Sequence, residues 1–357
     1  MTQAKQTIWL VGPFPPPLHG QAVYNAAFAA HLQKHGQLRV LATGESLVSK
    51  LTSYGRILYA VFFQMRRTDV VYTSMPGQMA AWLFALVVAA LRLRGMRHFV
   101  HHHSYRSIVL GPLRVMRLVV ALGGHTQRHI LLSSQMRDAF AALYLRSAKS
   151  GTALALSNAL LFCPEVAVVP PRPPRPVTLG HMSVLTPQKG VDALIRIFRL
   201  AATLCPELRL VIAGPIGDQT LEHAIETAIA DFPGRVDYRG AISGPAKAQF
   251  YADIDLFLLP TRLIDEAEPL VMLESYAAGV EFMANDRGCI LERLRQPGCV
   301  LTGHDDTDAA RVLDVVKHVA ADWDALRQAC GRHAEELHVT AVGEAHVLFG
   351  EMLAVAH

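Results

Sequence analysis

Residues Asp255-Leu-Phe-Leu-Leu-Pro260 are followed, five residues later, by Glu266-Ala-Glu-Pro-Leu-Val-Met-Leu-Glu274-Ser-Tyr-Ala-Ala-Gly279. The first run is short, apolar and ended by proline, which predicts a buried β-strand. Pro269 suits the first turn of a helix, where its missing N–H costs nothing, and Gly279 suits the position just after a helix. The stretch therefore predicts a strand, a loop and a helix in succession, the unit from which parallel α/β sheets are built.

Two carboxylates, Glu266 and Glu274, fall in this loop and in the helix after it, where both can face one cleft. The N–H groups of Leu270 and Val271 would lie in the first turn and form an anion site for a phosphate or diphosphate. Carboxylates beside such a site are better suited to accept hydrogen bonds from the hydroxyls of a ribose or a sugar ring. The alternative is structural, with Glu266 favouring the helix dipole and Glu274 solvated, and the spacing alone does not choose between them.

Short β-rich runs alternate with apolar-periodic stretches along the chain. This alternation predicts an α/β protein with two doubly wound, Rossmann-like domains, whose ligands bind in the cleft beyond the carboxyl ends of the strands. The predicted strands are Thr7–Val11, Leu38–Ala42, Asp69–Ser74, His98–His102, His129–Ser133 and Thr152–Leu156, then Val177–Val184, Leu208–Ala213, Val236–Arg239, Asp255–Leu259 and Glu281–Ala284.

A proline-rich segment separates the two series of strands. Five of the seven residues from Pro170 to Pro176 are proline, which excludes helix and central strand and predicts a stiff linker. The predicted organisation is an N-terminal domain over 1–168, a linker over 169–176, a C-terminal domain over 177–335 and a C-terminal helix over 336–357. This last helix belongs to an amphipathic run from Ala334 to Ala356.

Charge is distributed unevenly although the net charge is only +4. Residues 1–165 hold 17 Lys+Arg against 4 Asp+Glu, whereas residues 166–357 hold 17 against 26. Basic residues recur beside apolar ones in Arg56–Arg67, Leu91–Arg97 and Leu113–Arg117, a combination that an anionic membrane surface attracts. The same charge could attract nucleic acid, but no aromatic interleaving and no recognisable nucleic-acid module accompany it, so nucleic acid is not an expected partner.

Several features indicate a cytoplasmic protein. The five cysteines form no C-x-x-C pair and leave an odd one, which fits a reducing compartment. The strand-like run Thr7–Val11 leads directly into Gly12-Pro13, so no signal peptide is expected. The longest apolar stretch, Met79 to Leu91, has 13 residues and predicts a buried core helix rather than a membrane span.

The stretch quoted first resembles the signature of glycosyltransferase family 4, the retaining nucleotide-sugar transferases of GT-B fold. That signature is written Glu-Gly-Phe-Pro-Leu-x3-Glu-Ala-x-Ala-x-Gly, and it is matched here at Glu266, Pro269, Leu270, Glu274, Ala277 and Gly279. The chain departs from it at Ala267 and Glu268, which replace Gly and Phe, and at Glu281, which replaces a following Pro. These departures concern the shape of the loop more than its chemistry.

Ser183-Val-Leu-Thr-Pro-Gln-Lys189-Gly190 resembles a second family segment, Gly-Arg-Leu-x3-Lys-Gly, whose Arg and Lys neutralise the donor diphosphate. Lys189 matches the family's lysine, but Val184 stands where arginine is expected. The resemblance therefore implies weaker stabilisation of the leaving group unless another arginine supplies the charge. Three arginines are candidates: Arg106, Arg262 and Arg287.

His101-His-His103 ends a predicted strand, so the three rings alternate between faces and cannot all bind one metal. In the resembled family a histidine at this point lies near the donor sugar, and His103 matches it best, with His101 as the alternative. Gly20, before a predicted helix at Gln21–Leu32, would let backbone approach a ligand.

The resemblance extends in the family's order from Gly12 to Gly279 and implies a role for each matching residue. Glu266, His103 and Lys189 would be catalytic. The donor would be bound by Gly20, Ser183, Lys189, Gly214, Glu266, Leu270, Val271 and Glu274. Arg106, Ser134 and Asn158 would lie on the acceptor side, although Ser134 and Asn158 could equally be helix caps or turn formers.

The expected function is retaining transfer of a sugar from a UDP- or GDP-sugar to an acceptor hydroxyl, with no cofactor and no metal. The expected acceptor is a saccharide or lipid-linked saccharide in bacterial surface polysaccharide assembly, at the inner face of the cytoplasmic membrane. In the resembled fold, the last helix commonly crosses back to the first domain. The alternatives are a sugar-nucleotide epimerase of the same fold, a non-catalytic relative that only binds, and a basic nucleic-acid binder.

Overall fold

The computed structural model describes residues 6–16, 19–44, 46–77, 79–146, 151–165 and 175–354. Contacts between residues divide the chain into two units, Met1–Leu161 with Ala341–His357, and Phe162–Thr340. Residues 169–174 of the predicted linker lie outside the described residues. Each unit contains a six-stranded sheet in which all neighbouring strands run parallel, which confirms the predicted α/β class with two doubly wound sheets.

The first unit has the strand order β2-β1-β3-β4-β5-β6. Its strands are β1 Thr7–Gly12, β2 Gln37–Ala42, β3 Val70–Ser74, β4 Arg97–His101, β5 Gln127–Leu131 and β6 Thr152–Ala155. Its helices are α1 Gly20–Leu32, α2 Leu47–Phe63, α3 Ala80–Leu93, α4 Arg106–Val109, α5 Arg114–Gly123, α6 Ser134–Tyr144 and α7 Ala159–Phe162, the last of which ends at the first residue of the second unit.

The central strands of this sheet are buried along their length, as parallel strands covered by helices on both faces must be. Every residue of β3, Val70-Val-Tyr-Thr-Ser74, is buried, whereas the edge strand β2 is not buried at any position. One core cluster joins β1 and β3 to the inner sides of three helices, through Tyr54, Ile57 and Val61 of α2, Phe84 and Val88 of α3, and Val119 of α5. These three helices therefore lie side by side on one face of the sheet.

The second unit has the strand order β12-β11-β10-β7-β8-β9. Its strands are β7 Thr178–Met182, β8 Arg209–Ala213, β9 Val236–Tyr238, β10 Leu256–Leu259, β11 Glu281–Asn285 and β12 Val300–Leu301. Its helices are α8 Val191–Leu204, α9 Gln219–Asp231, α10 Gly244–Asp253, α11 Leu270–Ala277, α12 Ile290–Arg293, α13 Asp305–Ala321 and the first part of α14 Trp323–Leu353.

The predicted strands correspond to β1–β11 with shifts of one or two residues at most of their ends. Among the strands formed by the described residues, only the two-residue β12 has no predicted counterpart. The final helix is the larger difference, because α14 begins at Trp323 rather than at Ala334. Cys330 and Ala334 are both buried, and the ring of Tyr276 packs on that of His333 at 4.8 Å. This packing stabilises the helix across Gly331, a residue type of low helix propensity.

Four histidines of the first unit are buried and a fifth, His103, is half-buried beside them. His102 Nε2 lies 3.0 Å from His129 Nδ1, and His98 Nε2 lies 2.8 Å from Thr73 Oγ1. Burial lowers the pKa of His98, His102 and His103 to about 3, and it lowers the pKa of His101 and His129 well below 6.5. All five rings are therefore neutral in the folded protein at neutral pH.

This burial predicts a steep loss of stability in acid. Unfolded histidines bind a proton below about pH 6.5 and the buried ones do not, so unfolding becomes more favourable as the pH falls from there towards 3. Each such histidine contributes a slope of about 1.4 kcal/mol per pH unit. The free energy of unfolding is measured with urea for the wild type and for His129→Gln, at pH 7 and at pH 5. Between these two pH values, the variant should lose less stability than the wild type. Parallel losses in both proteins would contradict the assignment, and the exposed His223→Gln is the control.

Candidate nucleotide-sugar site

The predicted donor-side residues of the second unit follow the carboxyl ends of neighbouring parallel strands. Ser183 and Lys189 follow β7, Gly214 follows β8, and Glu266 follows β10. Because β7 is hydrogen-bonded to β8 on one side and to β10 on the other, these three loops emerge at one edge of the sheet. The sheet topology thus brings together residues that lie far apart in sequence.

Lys189 and Glu266 form an ion pair at this edge. Lys189 Nζ donates to Glu266 Oε2 at 2.7 Å, and Thr261 Oγ1 donates to the same oxygen at 3.2 Å. The carboxylate is largely buried, while the lysine side chain keeps 25% of its surface exposed. Glu266 Oε1 has no hydrogen-bond partner in the described part of the chain, so it can accept a hydrogen bond from a hydroxyl.

Two glycines with positive φ fix the loops that carry the site. Gly190 has φ +78°, and a Cβ there would lie 1.9 Å from the carbonyl oxygen of Pro260. Gly214 has φ +121°, and a Cβ there would lie 1.7 Å from the carbonyl oxygen of Ser183. Only glycine allows these close approaches between the loops after β7, β8 and β10.

Ser183 is held by a buried histidine of β7. His181 Nδ1 lies 2.8 Å from the Leu258 carbonyl oxygen and therefore carries the proton, which leaves Nε2 to accept from Ser183 Oγ at 2.8 Å. Burial lowers the pKa of His181 to about 4, so this neutral form persists at neutral pH. The hydroxyl of Ser183 is therefore oriented by the sheet below it.

Glu274 accepts hydrogen bonds from two side chains of α10. Lys247 donates to Glu274 Oε1, and Tyr251 Oη donates to Glu274 Oε2 at 2.8 Å. The pKa of Tyr251 is raised well above 10, mainly by burial and further by the Glu274 charge, so the phenol stays a neutral donor. A carboxylate has about four acceptor positions, so two partners leave room for ribose hydroxyls.

Sequence reasoning missed Lys247 and Tyr251. They stand four residues apart on α10, on one face of the helix, and this spacing was the available signal. No motif marks them, because their partner Glu274 comes from a different helix. Lys189 is the cationic neighbour of Glu266, and Lys247 is the cationic neighbour of Glu274.

The N-terminus of α11 lies where the sequence predicts it. Pro269 is the residue before the first helical residue, Leu270, and has no side-chain cap hydrogen bond. No hydrogen bond engages the N–H groups of Leu270 and Val271 within the described residues, which leaves them available to an anion. The helix ends at Ala277, and Gly279 has φ +72°, as the predicted stop requires.

The two acidic departures from the resembled signature are buried and paired. Arg293 Nε donates to Glu268 Oε1 at 2.7 Å, with both side chains almost completely buried. Arg295 Nε donates to Glu281 Oε2 at 2.9 Å, and Glu281 has no exposed surface. A buried carboxylate without its partner would be strongly destabilising, so these arginines compensate for the changed residues. Arg293 also ties the loop before α11 to α12, whereas Arg295 ties the segment after α12 to β11.

None of the three candidate arginines is shown to replace the family arginine at Val184, which is 45% exposed. Arg262 Nη2 instead contacts Asp192 Oδ2 at 2.7 Å, and Arg287 is exposed and donates to the Asp286 carbonyl oxygen. Arg106 belongs to the first unit, where its backbone N–H is 3.2 Å from Ser104 Oγ. In the second unit, Lys189 and Lys247 are the cations in contact with the two predicted carboxylates.

The predicted residues of the first unit also follow strand ends. His103 follows β4, and its ring lies 4.1 Å from that of His101 and 4.5 Å from that of Tyr24. His102 points to the other face, where it meets His129, as the alternation predicts. Within the described residues, Nε2 of His103 is buried without a hydrogen-bond partner, so a neutral imidazole has one nitrogen available.

Gly20 begins α1, and a Cβ there would meet nothing within 4 Å. The loop before it is held by Asn25, which donates from Nδ2 to the Pro13 carbonyl oxygen at 2.9 Å and accepts from Ser74 Oγ at 2.6 Å. Asn25 was missed because its role depends on the neighbouring strand β3. Ser134 is exposed at the start of α6 and is not the cap, since Ser133 Oγ accepts from Met136 N at 3.0 Å. Asn158 is buried just before α7.

No group of three or more His, Cys, Asp or Glu side chains that could hold a metal ion occurs in the described ranges. The five cysteines are free. Within the same ranges, no helix has the length and apolar character needed to cross a bilayer.

Residues 173–318 match the family described as "Glycosyl transferases group 1". This segment includes every predicted donor-binding residue except Gly20, and every predicted catalytic residue except His103. A D-inositol 3-phosphate glycosyltransferase of Thermomonospora curvata is 28% identical over 166 residues, which are 43% of this chain and 37% of that protein. The chain thus matches little more than a third of that relative's length.

Two solved structures resemble nearly the whole chain. HepE of Anabaena in complex with UDP has a TM-score of 0.67 at 17% identity and covers 98% of this chain and 99% of its own. Sucrose-phosphate synthase from Thermosynechococcus elongatus has a TM-score of 0.68 at 15% identity and covers 98% and 100%. The fold of this chain is accordingly the GT-B fold, with two Rossmann-like domains.

A comparison of two glycines predicts how much the loop contact at Gly190 matters. Gly190 and Gly234 have φ of +78° and +73°, but a Cβ at Gly234 would meet nothing within 4 Å. Both alanine variants should lose about 1 kcal/mol to backbone strain, and Gly190→Ala should lose about 1–3 kcal/mol more because of its contact with Pro260. Urea unfolding measures both variants. Equal losses would show that the loops do not depend on this approach.

Proposed function

We propose that this protein is a glycosyltransferase that moves a sugar from a nucleotide-sugar donor to an acceptor hydroxyl, with retention of anomeric configuration. One observation carries the proposal: the segment that matches group 1 glycosyl transferases contains Lys189 and Glu266, and these two side chains are 2.7 Å apart. The retaining outcome rests on the resemblance of the Glu266–Gly279 stretch to glycosyltransferase family 4.

The donor we assign is a UDP- or GDP-sugar. HepE of Anabaena, which shares the fold, binds UDP and UDP-glucose in its crystals, and this supports a nucleotide diphosphate here. In our assignment the diphosphate contacts Lys189 Nζ and the N–H groups of Leu270 and Val271. The charge that develops on the leaving group is then met by a fixed cation and by helix dipoles, so we assign no metal and no cofactor to the transfer.

The two glutamates divide the hydroxyls of the donor in this assignment. Glu274, held by Lys247 and Tyr251, accepts from the ribose hydroxyls, and Glu266 accepts a hydroxyl of the sugar on Oε1. Lys189 is shared, because it contacts Glu266 and can also contact a phosphate. His103, neutral and with Nε2 available, donates to a sugar hydroxyl or a phosphate oxygen.

The acceptor we assign is a saccharide, specifically a lipid-linked one used in surface polysaccharide assembly at the cytoplasmic face of the membrane. The support is the basic charge of residues 1–165, with 17 Lys+Arg against 4 Asp+Glu. Arg106, Ser134 and Asn158 are the residues assigned to the acceptor side.

Nucleotide binding should depend on Glu274. A ligand that binds only the folded state stabilises it by about 2.7 kcal/mol at a hundred times its dissociation constant, so UDP or GDP should raise the unfolding temperature. Glu274→Ala should abolish this shift, whereas Glu226→Ala, on the exposed side of α9, should keep it. A full shift in Glu274→Ala would refute the ribose assignment. UDP, GDP, ADP and their sugars are compared in the same screen to identify the base.

Substitutions of Lys189 and Glu266 should have different effects on turnover and on ligand binding. Lys189→Met should lower kcat by about 10²- to 10³-fold and weaken the shift caused by the nucleoside diphosphate alone, because it removes a charge from the leaving group. Glu266→Gln should keep the diphosphate shift but lose the additional shift that the sugar provides. Product analysis after incubation with the donor, with and without a panel of saccharide acceptors, measures turnover. An epimer formed from the donor alone would indicate an epimerase, and nucleotide binding without hydrolysis or transfer would indicate a binding protein.

A further inference from the structure

The outer surface of α2 and α3 carries exposed apolar residues in helical register. On α3 and the residue preceding it, Met79, Trp82, Leu86 and Leu93 are each 50% exposed or more, and their spacing places them on one side of the helix. The opposite side of α3, including Phe84 and Val88, packs into the core. On α2 the exposed apolar residues are Leu47, Val48, Leu51, Tyr59, Phe62 and Phe63.

These two stripes form one continuous surface. The helices lie side by side on the same face of the sheet, and their buried sides share one core cluster. Each exposed stripe is opposite the buried side of its helix, so both stripes face away from the sheet. Arg94 links the helix ends, since its guanidinium donates to the carbonyl oxygens of Phe62 and Met65 at 2.8 and 3.0 Å.

The helices that carry and flank this surface contain cations but no acid, since no Asp or Glu occurs in α2, α3 or α5. Between residues 46 and 137 the sequence has twelve Lys+Arg and a single acid, Asp69. Asp69 is buried and accepts hydrogen bonds from Trp9 Nε1 and Arg66 N, so its charge is internal. Arg56 of α2 and Arg114 and Arg117 of α5 are exposed, and they form no ion pair among the described residues.

We propose that this α2–α3 surface, which includes Trp82 in the first turn of α3, docks on the surface of an anionic lipid bilayer together with Arg56 of α2 and Arg114 and Arg117 of α5. Aromatic and aliphatic side chains enter the boundary between headgroups and acyl chains, and arginines meet lipid phosphates. α3 has 14 residues, about 21 Å of helix at 1.5 Å per residue, and one side of it is committed to the core, so it lies along the bilayer surface.

Charge favours lipid over a second copy of the chain. Two copies of this surface brought together would place arginines against arginines, with no acid to offset them. The inference deepens the proposed function, since an enzyme that acts on a lipid-linked acceptor must reach the bilayer. Docking itself does not require transfer, so the two can be tested separately.

Trp82 provides a direct measurement. The chain has three tryptophans, and Trp9 and Trp323 are only 3% and 9% exposed, so Trp82 is the one that vesicles can reach. Vesicles of equal parts phosphatidylglycerol and phosphatidylcholine, at low salt, should shift its emission to shorter wavelength, and brominated lipids should quench it. The response should be absent in Trp82→Phe, which keeps its affinity in flotation. No spectral change together with no flotation would overturn the proposal.

Substitutions test whether the docking surface is formed by α2 and α3. Trp82→Gln/Leu86→Gln should lose flotation, and Arg56→Gln, Arg114→Gln and Arg117→Gln should each weaken it about fivefold. The matched control, Leu204→Gln/Arg209→Gln, changes an exposed leucine and an exposed arginine of the second unit and should float like the wild type. Far-ultraviolet circular dichroism and the nucleotide-induced thermal shift confirm that each variant is folded.

Three further results would overturn the inference. Equal flotation with pure phosphatidylcholine would remove the role of charge, and equal loss in the control variant would remove the assignment to α2 and α3. Self-association of the wild type in sedimentation, abolished by Trp82→Gln/Leu86→Gln while vesicles do not bind, would identify a second copy as the occupant. The two proposals can fail independently. Wild-type protein that binds nucleotide but does not float would contradict docking alone, and protein that floats but binds no nucleotide would contradict the proposed function alone.

Discussion

Parallel pairing of β7 with β8 and β10 is the constraint on which the candidate site depends. Parallel strands end at the same edge of a sheet, so the loops after them must share a small space. In this chain they approach so closely that Gly190 and Gly214 have no room for a side chain. Lys189 and Glu266, 77 residues apart, are brought into contact only because these loops pack together.

Ion pairs then stabilise the acidic site. Glu266 and Glu274 each have a lysine partner, and Glu268 and Glu281 each have an arginine partner. Four carboxylates near one short helix would repel one another and lose hydration without such partners. Both lysine pairs remain partly exposed, whereas the side chains of Glu268 and Glu281 have no exposed surface and the Arg293–Glu268 pair is almost fully buried. This difference leaves the lysine pairs able to exchange contacts with a ligand, while Arg293 holds the loop before α11.

The two units use charge differently. In the second unit, acids and bases are paired around the sheet edge, while the α2–α3 surface of the first unit presents arginines and apolar side chains without acids. The buried histidines of the first unit are all neutral because burial depresses the pKa of each, so they add no charge to its interior at neutral pH. On the α2–α3 surface, exposed apolar side chains lie in the same part of the fold as permanently charged arginines, and anionic lipid attracts this combination.

Local sequence pattern by itself determined most of the secondary structure of this protein. Short β-rich runs that alternate with apolar-periodic stretches predict eleven of the twelve strands formed by the described residues, and the Glu266–Gly279 stretch by itself predicts the position of α11 and its stop. These features depend on neighbours in sequence. Only the tertiary structure decided that Lys189 pairs with Glu266, that Lys247 and Tyr251 hold Glu274, that Arg293 and Arg295 offset two buried acids, and that α14 begins at Trp323. The reason is physical: each of these depends on strand order and on side chains that meet across different elements, which no local periodicity encodes.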